Sequence, residues 1–120
     1  MRDFRSLKIW QKGMEIVDAT YDVIEHLPSS EKFGLSYQTG KACVSIPSNI
    51  AEGCARKSIA HYVQYLETSL GSTYELQTQT LVIMKRFQVP KDLTDKLYVL
   101  LEEETKMLGS YIRSLNKEKN

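Results

Sequence analysis

The sequence predicts an all-α protein that folds as an up-down-up-down four-helix bundle. Apolar residues recur at steps of three and four along four long segments, which is the spacing of one face of an α-helix. Short connections that contain proline or glycine separate these segments, and short connections make neighbouring helices antiparallel. A chain of 120 residues can bury one hydrophobic core. We therefore expect a single domain over residues 1–120, with a frayed polar end at about 116–120.

The first helix is expected from about Ser6 to Leu27, and it carries two neighbouring apolar rows. The first row is interpreted as the core seam: Leu7, Trp10, Met14, Val17, Tyr21 and Ile24. The second row repeats the same spacing: Ile9, Gly13, Ile16, Thr20, Val23 and Leu27. One seam is enough for a bundle, so the second row predicts a contact between subunits, with Ile9, Ile16 and Val23 as candidate interface residues.

The second helix is expected from about Ser30 to Gly53, after a break at Pro28. Ser29 or Ser30 is expected to cap this helix, and Glu31 is expected in its first turn, where the helix dipole favours a carboxylate. Gly53 is expected to end the helix in the left-handed conformation.

Pro47 lies inside this second helix and is expected to bend it, because proline removes a backbone donor and clashes with the preceding turn. A polar stripe runs beside it and faces polar residues of the third helix. These residues form a candidate network: Ser45, Ser48, Asn49, Glu52, Ser72 and Glu75. Buried polar side chains usually satisfy one another, so the network is interpreted as structural; the alternative is that Asn49 and Glu52 belong to a binding site.

The third helix is expected from about Ser58, which can cap it, to Phe87, and the fourth helix is expected to begin at Pro90. The third helix keeps the rhythm of three and four without a slip: Ile59, Tyr62, Leu66, Ser69, Thr73, Leu76, Thr80, Ile83 and Phe87. Small residues from Ser69 to Thr73 let the second helix approach closely.

The charge is nearly balanced, with a net charge of +1, so any site for nucleic acid must be local. Arg56 and Lys57 follow the second helix, and Lys41 lies within it. These three residues are candidate phosphate contacts. The alternative for Arg56 and Lys57 is dipole compensation at the end of a helix. No apolar run is long enough for a signal sequence or a membrane span, so a cytoplasmic protein is expected.

Nothing in the sequence predicts a metal, a cofactor or a catalytic site. Cys43 and Cys54 lie too far apart on one helix for a disulfide, so both are expected to be reduced. His26 and His61 lack metal-ligand spacing, which disfavours a metal-dependent enzyme. The run Glu102 to Glu104 is interpreted as a solvated face.

Three groups of residues carry a resemblance to a known family. The most specific is the stretch from Ser45 to Gly53, Ser-Ile-Pro-Ser-Asn-Ile-Ala-Glu-Gly. The others are Phe4, Leu7, Trp10, Pro28, Glu31, Phe33, Gly34, Leu35 and Gln38 before it, and Arg56, Ser69 to Ser72, Glu75 and Leu76 after it. On these residues the chain, from Phe4 to about Leu115, resembles the four-helix-bundle family encoded by intervening sequences of bacterial 23S ribosomal RNA.

The resemblance implies a ring-like homopentamer without enzymatic activity, and a link to ribosomal RNA. A similar protein, the accessory variability determinant of diversity-generating retroelements, binds nucleic acid and a reverse transcriptase through basic surfaces. The family often has two basic residues after the glutamine, whereas this chain reads Gln38-Thr39-Gly40-Lys41, so one positive charge is missing.

The function expected from the sequence is therefore that of a non-catalytic oligomeric bundle. It would bind RNA or a nucleoprotein partner through a basic surface repeated by symmetry. The alternative is a structural or protein-interaction scaffold without nucleic-acid binding, which the neutral charge favours.

Overall fold

The structure, a computed structural model, describes residues 2–119 and is built from four long α-helices. They are α1 (Lys8–Ile24), α2 (Leu35–Cys54), α3 (Ile59–Arg86) and α4 (Lys91–Lys119), and two short 3-10 helices lie at Phe4–Ser6 and Ser29–Glu31. Each α-helix packs against its neighbours in the chain, and α1 also packs against α4. The described residues contain no strand, so the predicted all-α four-helix bundle is confirmed.

The bundle is elongated, with dimensions of 48 × 23 × 20 Å. The 28 residues of α3 and the 29 residues of α4 span roughly 42 and 44 Å at 1.5 Å per residue, which is close to the long dimension. The helices therefore lie side by side, and short connections return the chain at each end. No helix within residues 2–119 combines the length and the apolar character needed to cross a membrane.

The start of α2 differs from the sequence expectation. Residues Ser29–Glu31 form a separate 3-10 turn, and α2 begins only at Leu35, where Gly34 provides no capping side chain. The carboxylate of Glu31 accepts a hydrogen bond from the backbone amide of Leu35 at 3.3 Å. The cap expected from Ser29 or Ser30 is therefore wrong, and Glu31 satisfies a free amide of the first turn instead. The cap expected from Ser58 is confirmed, since its hydroxyl accepts from the amide of His61 at 3.1 Å.

The end of α2 also corrects an expectation. The described glycines all have negative φ, and α2 continues through Gly53 to Cys54. A Cβ atom at Gly53 would lie 2.9 Å from Cβ of Tyr65 and 3.0 Å from Cδ1 of Tyr62. Gly53 is therefore required by the close approach of α3 and not by a left-handed cap. Upstream, α2 continues through the buried Pro47, and the bend expected there stays a prediction.

The two apolar rows of α1 differ from expectation: the second row is buried in the core, whereas the first is half-buried against the core at Leu7, Trp10, Val17 and Ile24 and exposed at Met14 and Tyr21. Ile16 and Val23 are fully buried and Ile9 is 5% exposed, whereas Met14 is 42% and Tyr21 47% exposed. The row that contains Ile9, Ile16 and Val23 faces the centre of the bundle, so its assignment to a subunit interface is wrong. Periodicity locates two adjacent rows on a helix, but only the positions of α2 and α4 decide which row lies between them.

The core runs the full length of the bundle and includes several buried hydroxyl groups. On α3 the predicted seam is confirmed, with Tyr62, Leu66, Leu76 and Ile83 at most 1% exposed. Buried threonines satisfy their hydroxyls on carbonyls one turn earlier: Thr20 on Ile16, Thr73 on Ser69, and Thr80 on Leu76, at 2.6, 2.9 and 2.7 Å. At the other end of the chain, α4 continues to Lys119, through most of the segment expected to fray, and Asn120 lies outside the described residues.

Candidate functional site

A polar network joins α2 to α3 beside Pro47. The hydroxyls of Ser45 and Ser72 lie 2.8 Å apart, and the side-chain amide of Asn49 donates to both the carbonyl and the hydroxyl of Ser45, at 2.8 and 2.9 Å. The hydroxyl of Ser69 donates to the carbonyl of Ile46 at 2.9 Å. The Ser45–Ser72 and Ser69–Ile46 bonds join the turn that contains the proline to α3, and the Asn49 bonds lie within α2.

Only part of the predicted network meets in one place. Ser45, Asn49 and Ser72 are in hydrogen-bond contact, whereas the side chains of Ser48 and Glu52 are exposed. Ser48 instead lines a depression between α1 and α2. Glu75 lies at the same small depression as Ser45 and Ser72, and its carboxylate accepts a hydrogen bond from Gln79 at 3.3 Å. The predicted network is therefore incomplete, because Ser48 and Glu52 lie at its solvent-exposed edge.

The candidate phosphate contacts divide into two locations. Arg56 and Lys57 are exposed in the connection between α2 and α3. The guanidinium of Arg56 lies 5.0 Å from the ring centre of Tyr65, within the range of a cation–π interaction. Lys41 lies fifteen residues before Arg56, which is about 22 Å along α2, at the depression with Ser45 and Ser72. Lys41 therefore does not share a site with Arg56 and Lys57.

Arg2 joins Arg56 and Lys57, and sequence reasoning did not assign it a role. These three residues, with Ala55, line one depression of about 290 Å³; we call them the basic cluster. The guanidinium of Arg2 lies 4.1 Å from the ring centre of Tyr62. Arg2 is separated from Arg56 and Lys57 by more than fifty positions in the chain, so no local spacing in the sequence indicates that it joins them.

The N-terminal segment is positioned by its own short-range contacts. The side chain of Asp3 accepts a hydrogen bond from the backbone amide of Arg5 at 3.1 Å and so caps the 3-10 helix. This bond and the one from the Arg5 side chain hold the pKa of Asp3 below its usual value. Phe4 packs edge-on against Trp10, with ring centres 5.2 Å apart. The segment is thereby held against α1, and Arg2 extends towards the start of α3.

Glu104 is an acidic residue in the core of the bundle. It is fully buried on α4, and neither of its carboxylate oxygens has a hydrogen-bond partner among the described residues. Burial raises the pKa of this carboxyl to about 8; Lys12 opposes the shift and Glu15 adds to it. The ammonium of Lys12 donates instead to Glu103 at 2.9 Å. The expectation that the run Glu102 to Glu104 is solvated is therefore wrong for Glu104.

Small neighbours make room for this carboxyl. A Cβ atom at Gly13 would lie 3.4 Å from Oε2 of Glu104 and 3.3 Å from Cβ of Pro47. The carboxyl thus lies where α1, α2 and α4 meet, at the level of the proline. The sequence gives a signal for this burial, because Glu104 continues the spacing of three and four from Leu97 and Leu101 to Leu108.

No group of three metal-ligating side chains occurs within residues 2–119. Both cysteines are free and buried, and burial raises the pKa of the Cys43 thiol to about 11. A thiol with such a pKa is protonated at neutral pH and is a poor nucleophile.

An apolar groove runs between α1 and α2 on the surface. It consists of two adjoining depressions of about 240 and 420 Å³ that share Val44. We call the following residues the apolar groove: Trp10, Met14, Val17, Tyr21, Ile24, Val44, Pro47 and Ala51. On α1 it contains all members of the first apolar row except Leu7, and exposed apolar surface of this kind marks a site of interaction.

Comparison with known proteins agrees with this architecture. The family described as 23S rRNA-intervening sequence protein matches residues 5–110. The chain belongs to that family. A crystal structure of a protein of unknown function from the S23 ribosomal protein family of Bacteroides thetaiotaomicron has a TM-score of 0.79 and 21% sequence identity, and the match covers 87% of this chain and 97% of that one. No curated protein matches the chain. The likeness to the crystal structure supports the four-helix fold.

Proposed function

We propose that this member of the 23S rRNA-intervening sequence protein family is a non-catalytic bundle that self-associates and binds RNA through the basic cluster. The observation that carries the proposal is the convergence of Arg2, Arg56 and Lys57 on one depression in a chain whose net charge is only +1. Three positive charges therefore lie together at the end of α2, although other lysines and arginines are exposed elsewhere on the bundle. Such a local concentration favours contact with phosphate groups.

Self-association is the second part of the proposal, and the apolar groove supports it. Tyr21, Met14 and Val44 are each more than 40% exposed, and they line a single surface of α1 and α2. Contact with a second copy of the chain would remove this surface from water, which is favourable in proportion to the apolar area buried. The homopentamer implied by the family resemblance would repeat the basic cluster around a ring and raise the affinity for a long RNA by avidity.

A protein-interaction scaffold is the second candidate function, because the apolar groove also suits another protein and the net charge is small. This candidate differs from the first in its ligand. It predicts that variants of the basic cluster leave partner binding unchanged and that RNA is not bound at low ionic strength. A cytoplasmic location belongs to both candidates.

Binding of single-stranded RNA by basic-cluster variants tests the first candidate. We expect the double variant Arg56→Ala/Lys57→Ala to lower RNA affinity about tenfold or more, since hydrogen bonds to charged groups contribute about 1.5–3 kcal/mol each. The control is Lys96→Ala, which removes an exposed charge near the start of α4, at the other end of the bundle. Equal RNA affinity of the double variant and the control would contradict the proposal.

A further inference from the structure

The three cations of the basic cluster line one depression. We infer that this depression binds a terminal phosphate group at the end of an RNA strand, an inference that rests on the proposed function. The described lining contains Arg2, Arg56, Lys57 and Ala55, and therefore three positive charges and no carboxylate. Asp3, the nearest acid in the sequence, is held in an ion pair with Arg5 at 3.2 Å.

The charge and the number of free oxygens distinguish a phosphate at the end of an RNA strand from a phosphate within the strand. An internal phosphodiester carries one negative charge and two non-bridging oxygens. A terminal phosphate carries three free oxygens and, with a second pKa of about 6, a charge between about −1.5 and −2 at neutral pH. Three cationic side chains around a depression match the terminal group in both respects, and two of them are arginines, which can bind phosphate oxygens with paired N–H donors.

Each of the two arginines lies over a tyrosine ring, a contact that favours its present position. Arg2 lies over the ring of Tyr62, at 4.1 Å, and Arg56 over that of Tyr65, at 5.0 Å. Tyr62 itself is fully buried and its hydroxyl lies 3.0 Å from that of Tyr111. The platform under Arg2 is thus part of the core. A site whose side chains are already ordered loses less conformational entropy on binding.

Gly53 couples this site to the packing of α2 on α3. Both platform tyrosines approach Gly53 closely, with Cβ of Tyr65 and Cδ1 of Tyr62 nearest to the position of a Cβ atom. Because Gly53 has no side chain, α3 can pack closely against the end of α2. Its two tyrosines then lie beside the connection that contains Arg56 and Lys57. The glycine at the end of the Ser45 to Gly53 stretch thus contributes to the shape of the depression.

Four ligands in equilibrium binding at a fixed salt concentration test the inference: a single-stranded RNA of about twelve nucleotides with a 5′-phosphate, with a 3′-phosphate, with neither, and the corresponding nucleoside monophosphate. We expect one phosphorylated end to bind about tenfold more tightly than the unphosphorylated strand, the gain expected from additional charged hydrogen bonds. In Arg2→Ala and in Lys57→Ala this ratio should fall to about twofold or less, while Lys96→Ala should retain it.

The outcomes separate the inference from the proposed function. If the unphosphorylated strand binds as tightly as both phosphorylated strands, the inference fails and RNA binding stands. If none of the strands binds, both fail. An unchanged ratio in Arg2→Ala and Lys57→Ala would overturn the inference, provided that circular dichroism shows both variants folded. Binding of the monophosphate as tight as that of the strand would also overturn it, because the RNA chain would then contribute nothing.

Discussion

At the scale of single residues, the buried carboxyl of Glu104 has the largest expected effect on stability. An ionised carboxylate without partners is costly in a protein interior, so the group remains protonated when the pH is below its raised pKa. The helical spacing of Glu104 from Leu101 and Leu108 predicts that it lies on the core face. The run of three consecutive glutamates predicts a solvated surface instead, and for Glu104 the spacing is the better guide.

We predict that the stability of the bundle falls as the pH rises from about 5 to about 8. The usual pKa of the carboxyl is 4.5, and burial raises it to about 8 in the folded state. Between these values the folded protein holds a proton that the unfolded chain has lost, so raising the pH favours unfolding. Urea unfolding at a series of pH values measures the effect, which should level off above about pH 8.

Glu104→Gln should remove most of this pH dependence, because the amide does not ionise. At pH 9 the variant should be more stable than the wild type by on the order of a few kcal/mol. Glu103→Gln is the matched control: its exposed ion pair with Lys12 contributes less than about 1 kcal/mol. If Glu104→Gln keeps the slope of the wild type between pH 5 and 8, the carboxyl is not the titrating group.

Gly53 gives a second prediction at this scale. Alanine usually stabilises a helix relative to glycine by about 1 kcal/mol, but a Cβ atom here would lie 2.9 Å from Tyr65. Overpacking typically costs about 1–3 kcal/mol, so Gly53→Ala should lower the free energy of unfolding. Gly71→Ala is the control, because nothing lies within 4 Å of its Cβ position, and it should be neutral or stabilising. Equal effects of the two changes would show that α3 does not approach Gly53 as closely as described.

At the scale of elements, the helices could be predicted from the sequence more completely than their faces. The start of α3 at Ser58, its buried seam and the break at Pro90 all follow from local rules of capping and periodicity. The roles of the two rows of α1 do not, because both rows have the same spacing and similar hydrophobicity. Burial of Ile16 and exposure of Met14 depend on where α2 and α4 lie, and no local pattern encodes that.

A pair of substitutions on α1 tests which apolar row faces the core and which row faces a second subunit. Ile16→Glu places a charge at a fully buried position and should destabilise the bundle by several kcal/mol, enough to unfold many domains of this size. Met14→Glu places the same charge in the apolar groove and should leave the helix content unchanged while reducing the size of the assembly. Circular dichroism and light scattering measure the two effects. If Ile16→Glu instead folds and forms a smaller assembly, the row that contains Ile9 and Val23 is the subunit interface.

At the scale of the whole molecule, the candidate site could be predicted only in part. Arg56 and Lys57 could be found because they are adjacent in the sequence and follow a helix. Arg2 could not, since its place in the basic cluster depends on a 3-10 turn capped by Asp3 and on the fold of the whole bundle. Lys41 was grouped with them by its charge, although the length of α2 places it about 22 Å away.

The dependence of RNA affinity on salt concentration is the most direct test of whether the basic cluster binds the phosphates of RNA. If the basic cluster contacts phosphates, the logarithm of the binding constant should fall linearly with the logarithm of salt concentration. The slope should be clearly negative for the wild type, and its magnitude should be smaller in Arg56→Ala/Lys57→Ala, which removes two of the three cations. A wild-type protein that shows no RNA binding at low ionic strength, or a slope near zero, would contradict the account.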